Sequence, residues 1–404
     1  MLAFYVFIAA LIVAPLHAQG KPRARDLGVP FDGTPGRHNA ITDVRGVEVG
    51  HTTLISGSGP LVRGKGPVRT GVTAVLPRGK ASSDPVFGAW FSLNGNGEMT
   101  GTAWIEESGF LQGPVLITNT HSVGIVRDAT IEWMLRRDTS FQWALPIVAE
   151  TWDGVLNDLN GFHVRPRHVF AALDGARAGP VLEGAVGGGT GMLCNGFKGG
   201  IGTSSRVTAP EVGGHTVGVL VQCNYGRRAG LRIAGVPVGE EFTEPTLCVA
   251  STRTPSQAFL RELPRCAARQ GAADGRPLEE MGSIIIVVAT DAPLLPHQLA
   301  RLVKRATLGL GREGSIASNF SGDLFVAFSS ANPGAARDTA LVSVGMVPNE
   351  RLDPLFAATV QATEEAVTNA LVAAETMTGA DDVRAVALPH ERLREILRKY
   401  NRLR

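Results

Sequence analysis

The sequence predicts a mixed α/β protein whose strands come in blocks instead of alternating one by one with helices. Three observations carry that reading. Residues 284–288 (IIIVV) are five consecutive β-branched side chains, the mark of a strand buried on both faces. Residues 127–136 and 353–378 repeat apolar side chains at helical spacing. Glycine-rich turns lie between such runs, and the 49 glycines are the oddity of the composition. The βαβ alternation of a dinucleotide-binding fold is missing from the pattern.

In chain order, residues 21–40 are basic and rich in Pro and Gly, and are expected to form an extended arm or loop. Residues 44–54 and 71–76 alternate or run apolar over strand lengths. Strand-like runs alternate with glycine turns over 89–124. A helix over 127–136 is expected to put Ile131, Met134 and Leu135 on one face, and 146–150 (PIVAE) reads as a short buried strand ending in a carboxylate. The densest glycine stretch, 184–206 (GAVGGGTGMLCNGFKGGIGTSSR), precedes a strand over 215–223 that runs straight into Asn224. Despite Lys198, the stretch matches neither a phosphate-binding loop nor a dinucleotide fingerprint, so it is read as backbone packing and turns near a cleft. Pro255 opens an expected helix over 255–268, and 270–282 has the composition of an exposed loop. After the β-branched strand, Pro293 and Pro296 start a helix running to about Leu310, and 324–328 form another strand. The helix over 353–378 carries Phe356, Val360, Val367 and Leu371 on one face, with Gly379 marking its end. The tail, HERLREILRKYNRLR, is a basic amphipathic helix suited to a solvated face or a subunit contact. Asp291 and Lys304 are read as structural.

At 404 residues the chain has room for one large domain or two to three ordinary ones. Its 44% apolar and 19% charged residues belong to a globular protein with a sizeable core. A net charge of +2 gives no global field for nucleic acid or an anionic membrane, and no nucleic-acid partner is expected. Residues 2–13 form an apolar run too short to span a bilayer comfortably. It is followed by the small Ala18 and a basic stretch, the layout of a secretory signal over residues 1–18. An uncleaved anchor or a buried strand is the other reading of that run. A signal implies an exported protein, periplasmic or secreted, with no stable membrane association once it is removed. Export permits disulfides, but Cys194, Cys223, Cys248 and Cys266 show no C-x-x-C or metal spacing, and buried unpaired thiols are expected. The nine His residues are scattered, and neither a metal nor a cofactor is expected.

The chemistry concentrates at Gly282–Ser283, between the polar loop and the buried strand. In an intact chain Ser283 is an ordinary strand-opening residue. Cut at that bond, it gains an α-amine of pKa about 8 beside its own hydroxyl, close enough to working pH to act as general base. Glycine before the bond lets the hydroxyl approach the preceding carbonyl.

Several long strings, in order from about Asp26 to Gly379, extend this reading. They are NAITDVRGVEVGHTTL, LITNTHSVG, VAETWDGVLND, GGGTGMLCNGFKGGIGTSSR, LVQCNYGRR, GSIIIVVATDAPLLPHQL and SNFSGDLFVAFSS. Together they resemble the L-aminopeptidase/D-esterase-amidase family, which includes the β-peptidyl aminopeptidases. The resemblance implies N-terminal-nucleophile chemistry on a four-layer α/β/β/α sandwich, also seen in ornithine acetyltransferases. It implies autoproteolysis within one catalytic domain, giving an α chain over 19–282 and a β chain over 283–404, and assembly of several αβ units into a homo-oligomer. The family's nucleophile falls on Ser283. Its second Ser and the acidic residue of the S-G-[DE] turn fall on Ser321 and Asp323, which support the nucleophile and its amine. The oxyanion-hole Asn falls on Asn224, and the Glu that binds the substrate's free amino group on Glu150. Two residues on, where the family often has Tyr, stands Trp152, which keeps an aromatic wall and removes a hydroxyl.

The implied activity is release of N-terminal amino acids from short peptides, amides and esters, with preference among L-α-, D-α- and β-residues left open. Two alternatives stand beside it. An acyltransferase of the ornithine-acetyltransferase kind uses Thr where this chain has Ser283, and its chemistry belongs to the cytoplasm. A non-catalytic exported binding protein has no need of Ser283, Ser321, Asp323, Asn224 and Glu150 together.

Overall fold

The computed structural model describes residues 21–138, 143–266 and 282–403. The expected signal over 1–18 and the loop over 270–281 lie outside the described residues.

Two sheets stack face to face. The first has the order β1 (Glu48–Ser56), β2 (Val68–Leu76), β5 (Val115–Asn119), β6 (Ile147–Thr151). The second has the order β4 (Phe110–Leu111), β3 (Val86–Gly95), β13 (Gly322–Ser329), β12 (Ser283–Thr290), β10 (Thr216–Asn224), β9 (Gly200–Val207). The β5–β6 and β12–β13 pairs are parallel and the other neighbours antiparallel. A three-stranded sheet of β11 (Leu247–Val249), β15 (Val383–Ala385) and β14 (Met377–Thr378), and a hairpin of β7 (Leu193–Cys194) and β8 (Phe197–Lys198), flank them.

The β-branched run explains the layering. Side chains alternate across a strand, so Ile284, Ile286 and Val288 enter one core while Ile285, Val287 and Ala289 enter another. The first core lies under α4 (Pro296–Val303), α5 (Ala306–Arg312), α6 (Asp353–Val372) and α7 (His390–Lys399). The second fills the space between the sheets, with Val75, Val115, Ile117 and Ile147 opposite β12. A third covers the outer face of the first sheet, where Val72, Ala74, Leu116 and Val148 meet α2 (Val123–Arg137) and α3 (Pro166–Asp174). α1 (Thr102–Ser108) links β3 to β4. The chain is therefore a four-layer α/β/β/α sandwich. Each fully buried Ile or Val contributes about 1.5–3 kcal/mol, which fixes β12 at its centre.

Several element boundaries differ from the sequence expectation. The buried face of α2 is Val126, Ala129, Thr130, Trp133 and Met134, at helical spacing, and Leu135 lies 40% exposed beside it. The helix expected over 255–268 is a short 3-10 turn at Ala258–Leu260 followed by loop; 267–268 lie outside the described residues. Pro264 cannot continue a helix, and the N–H of Cys266 donates to the Val249 carbonyl instead. The helix expected to run from Pro296 to Leu310 breaks between α4 and α5, where the Arg305 N–H donates to the Leu302 carbonyl in a tightened turn. α6 ends at Val372, well before Gly379, where the His390 imidazole meets the Val372 carbonyl at 2.9 Å. The apolar side of the tail helix, Leu393, Ile396 and Leu397, is buried in the molecule's own first core. The cysteines are not free thiols: Cys194–Cys223 and Cys248–Cys266 form two disulfides, with Cα atoms 5.5 and 5.0 Å apart, in bridging range. No helix of the described residues is long and apolar enough to cross a membrane.

Candidate active site

Sheet register builds the site. β12 pairs antiparallel with β10 and parallel with β13, which puts Ser283 in one row between Asn224 and Gly322. The Gly322 N–H donates to Ser283 Oγ at 3.2 Å. The two residues flanking Gly322 form a pair of their own: the Ser321 hydroxyl donates to Asp323 Oδ1 at 2.6 Å, both side chains fully buried. Ser283 itself is 6% exposed. On its other side the chain passes so near β10 that a methyl group on Gly282 would lie 1.8 Å from the Asn224 carbonyl oxygen. No side chain fits at 282 without moving that carbonyl.

Asn224 ends β10 with its carboxamide engaged at both ends. The Leu193 N–H donates to Oδ1 at 2.8 Å, and Nδ2 donates to the Trp152 carbonyl at 2.9 Å. A carboxamide carries two N–H groups, so one remains for a third partner. Trp152 thus meets Asn224 through its backbone. Its half-buried ring packs 5.7 Å from that of Phe259, at 52°, and the two form an aromatic wall.

Glu150 stands near the end of β6, 3% exposed. The Glu98 N–H donates to Oε1 at 3.0 Å and the Thr120 hydroxyl donates to Oε2. Burial raises its pKa above the ordinary carboxylate value, aided by the charge of Glu98; the two hydrogen bonds and His121 oppose the rise. Gly97 is the spacer between this carboxylate and the row that holds Ser283. A methyl group there would fall 3.3 Å from Glu150 Oε1 and 3.5 Å from Gly322 Cα. The Glu150 carboxylate therefore lies close to the row that holds Ser283.

The structure thus brings Ser283, Ser321, Asp323 and Asn224 together, with Glu150 one residue's width away and Trp152 beyond Asn224. Sequence reasoning did not find the supporting groups. Thr120 sits inside the string LITNTHSVG and Glu98 within the glycine-turn region 89–124, but no spacing ties them to Glu150. Phe259 falls in the segment expected to be helical, and stands instead in a short 3-10 turn. Lys198 is fully buried within the glycine-rich stretch, where its ammonium donates to the Met192 and Gly199 carbonyls at 2.9 and 2.7 Å. Burial pushes its pKa down to about 7.

Residues 39–385 match the model of peptidase family S58. The chain belongs to that family. Over 403 residues, all of this chain and 98% of the relative, it is 55% identical to the β-peptidyl aminopeptidase BapA of Sphingosinicella microcystinivorans. Among solved structures it resembles the L-aminopeptidase D-Ala-esterase/amidase of Ochrobactrum anthropi, described as a prototype of the serine aminopeptidases and a variant of the N-terminal-nucleophile hydrolase fold. The TM-score is 0.82 and the identity 47%, covering 95% of this chain and 100% of that one. A β-aminopeptidase of Burkholderia sp. matches with a TM-score of 0.79 and 45% identity, over 94% of this chain and 99% of that one. This S58 member is a serine aminopeptidase/amidase with the N-terminal-nucleophile fold.

Proposed function

We propose that the protein cuts itself between Gly282 and Ser283 and then releases N-terminal residues, β-amino acids among them, from short peptides, amides and esters. The observation that carries this reading is the row Asn224–Ser283–Gly322, with Glu150 one glycine away. In the uncut chain, Ser283 Oγ attacks the Gly282 carbonyl and the acyl group moves from nitrogen to oxygen. Water hydrolyses the resulting ester, leaving the Gly282 carboxylate and a free Ser283 amine.

In turnover that amine takes the Ser283 hydroxyl proton as Oγ attacks the scissile carbonyl. The spare N–H of Asn224 binds the oxyanion, and the proton passes to the leaving amine. Water, deprotonated by the same amine, then releases the acyl group. The Ser321–Asp323 pair beside Gly322 holds the Ser283 amine by charge and hydrogen bonding. Glu150 pairs with the substrate ammonium. A β-residue at the substrate's N-terminus is supported by the named activities of the Sphingosinicella and Burkholderia relatives.

The apolar leader supports export to the periplasm or medium. Apolar side chains left open at Ile316 and Leu341, 79% and 86% exposed, support assembly of αβ units into a homo-oligomer. Denaturing electrophoresis with N-terminal sequencing of the purified protein tests the central step. Two chains, one beginning SIIIV, are expected; a single stable chain overturns the reading. Chromogenic amides of β-alanine and L-alanine then rank the substrates.

A further inference from the structure

The orientation of Asn224 depends on a segment whose own sequence does little to hold it. Residues 184–200 (GAVGGGTGMLCNGFKGG) are glycine-rich, and such backbone loses the most conformational freedom on ordering. Within it, the Leu193 N–H donates to Asn224 Oδ1 at 2.8 Å. That bond decides which way round the carboxamide lies, because an NH2 group facing an N–H leaves two donors opposed. With Oδ1 on Leu193, Nδ2 faces the Trp152 carbonyl and keeps one N–H free for an oxyanion.

Several attachments fasten the β7–β8 hairpin, among them the Lys198 N–H to the Val386 carbonyl at 2.8 Å and the Thr246 hydroxyl to the Gly196 carbonyl. The Asn195 N–H donates to the Tyr225 carbonyl at 2.7 Å. Lys198 gathers the Met192 and Gly199 carbonyls from inside. One further attachment is covalent. The Cys194–Cys223 disulfide joins the residue after Leu193 to the residue before Asn224, across 29 positions of sequence, with both residues fully buried. It brackets the Leu193 hydrogen bond, one of the two, with that to the Trp152 carbonyl, that set the carboxamide's orientation.

We propose that the Cys194–Cys223 disulfide is a positioning bridge for Asn224, holding its spare N–H on the oxyanion so that opening the bridge lowers turnover and spares substrate binding. This rests on Asn224 being the oxyanion donor. Binding is spared because Glu150 takes its hydrogen bonds from Glu98 and Thr120, outside the hairpin. Opening the bridge with dithiothreitol converts the disulfide to two thiols and the reagent to its cyclic disulfide. Misplacing a catalytic donor by about 1 Å costs on the order of a hundredfold in rate.

The test compares kcat and KM of mature wild type, Cys194→Ala/Cys223→Ala, Asn224→Ala and the triple variant, with far-UV circular dichroism as the check on folding. The bridge predicts that kcat of the double variant falls by about tenfold to hundredfold with KM within about twofold. It also predicts that Asn224→Ala costs much less in the double variant than in wild type, a coupling that general destabilisation does not produce. A folded double variant with wild-type kcat overturns the bridge, as does peptide mapping that finds Cys194 and Cys223 as free thiols in the native protein. If Asn224→Ala itself leaves kcat unchanged, the oxyanion reading has failed. A loss in Asn224→Ala without one in the double variant refutes the bridge alone. Should the double variant not mature, the mature Cys248→Ala/Cys266→Ala enzyme is reduced with dithiothreitol while its thiols are counted. A fall in kcat tracking the newly opened pair supports the bridge, and full activity with both thiols open overturns it.

Discussion

Glu150 shows how far a side chain's chemistry is set by its place. In its proposed role of holding a substrate ammonium it must be ionised, and burial works against that by raising its pKa above the ordinary 4.5. Protonation therefore weakens binding from the acid side, so kcat/KM is expected to fall as pH drops through a midpoint above 4.5. Glu150→Gln keeps the shape and loses the charge. A charged hydrogen bond contributes about 1.5–3 kcal/mol, so kcat/KM should fall roughly ten- to hundredfold and the acid limb should vanish from the pH profile. An unchanged profile would assign that limb to another group. Gly282 makes a second residue-scale case. Gly282→Ala drives a methyl group into the Asn224 carbonyl and should give one uncut chain on a denaturing gel. Ser283, Asn224 and Glu150 could be singled out because each stands in a string that resembles the family's. Thr120 and Glu98 were not, because they reach Glu150 from 30 and 52 residues away and leave no periodic trace.

At the scale of elements, the turn after β6 carries a buried acid beside the aromatic wall. Asp153 is 1% exposed, accepts the Asn157 amide at 3.0 Å, and is pushed up by burial to about 7 from 3.8. Between those two values the folded chain holds a proton that the unfolded chain has released. Stability contributed by this group is thus complete below the lower value and lost as pH rises through the upper one. Asp153→Asn removes that loss, so the melting temperature of the variant minus wild type should be more positive at pH 8 than at pH 5. A difference constant with pH would place the titration elsewhere. Periodicity found β12, β10 and α6, whose apolar runs are long. It misplaced the ends of α6 and the 255–266 segment because distant groups set them: the His390 imidazole at one, the Cys248–Cys266 disulfide at the other.

For the whole molecule, the sheet interleaves the two halves of the chain. β12 and β13 follow the proposed cut, while β10 and β3 on either side precede it. The cut protein should run as one species in native gel filtration and as two under denaturing conditions. Refolded from denaturant, its yield should rise with protein concentration, whereas uncut Ser283→Ala should refold independently of it. Equal concentration dependence for both would mean that the halves do not rely on each other. The mixed α/β class was readable from local patterns, and the four layers came with the family resemblance. The strand order was in neither, because it pairs segments as far apart as residues 95 and 322. That same interleaving has a consequence for the life of the molecule. The parts that surround Ser283 come from both ends of the sheet's chain path and meet only in the finished sheet. Under the proposed self-cleavage, a newly made polypeptide is inert towards its neighbours until the sheet closes, and the free amine marks that closure. On that proposal, counting processed chains is a census of properly folded molecules, and a misassembled copy is harmless by default.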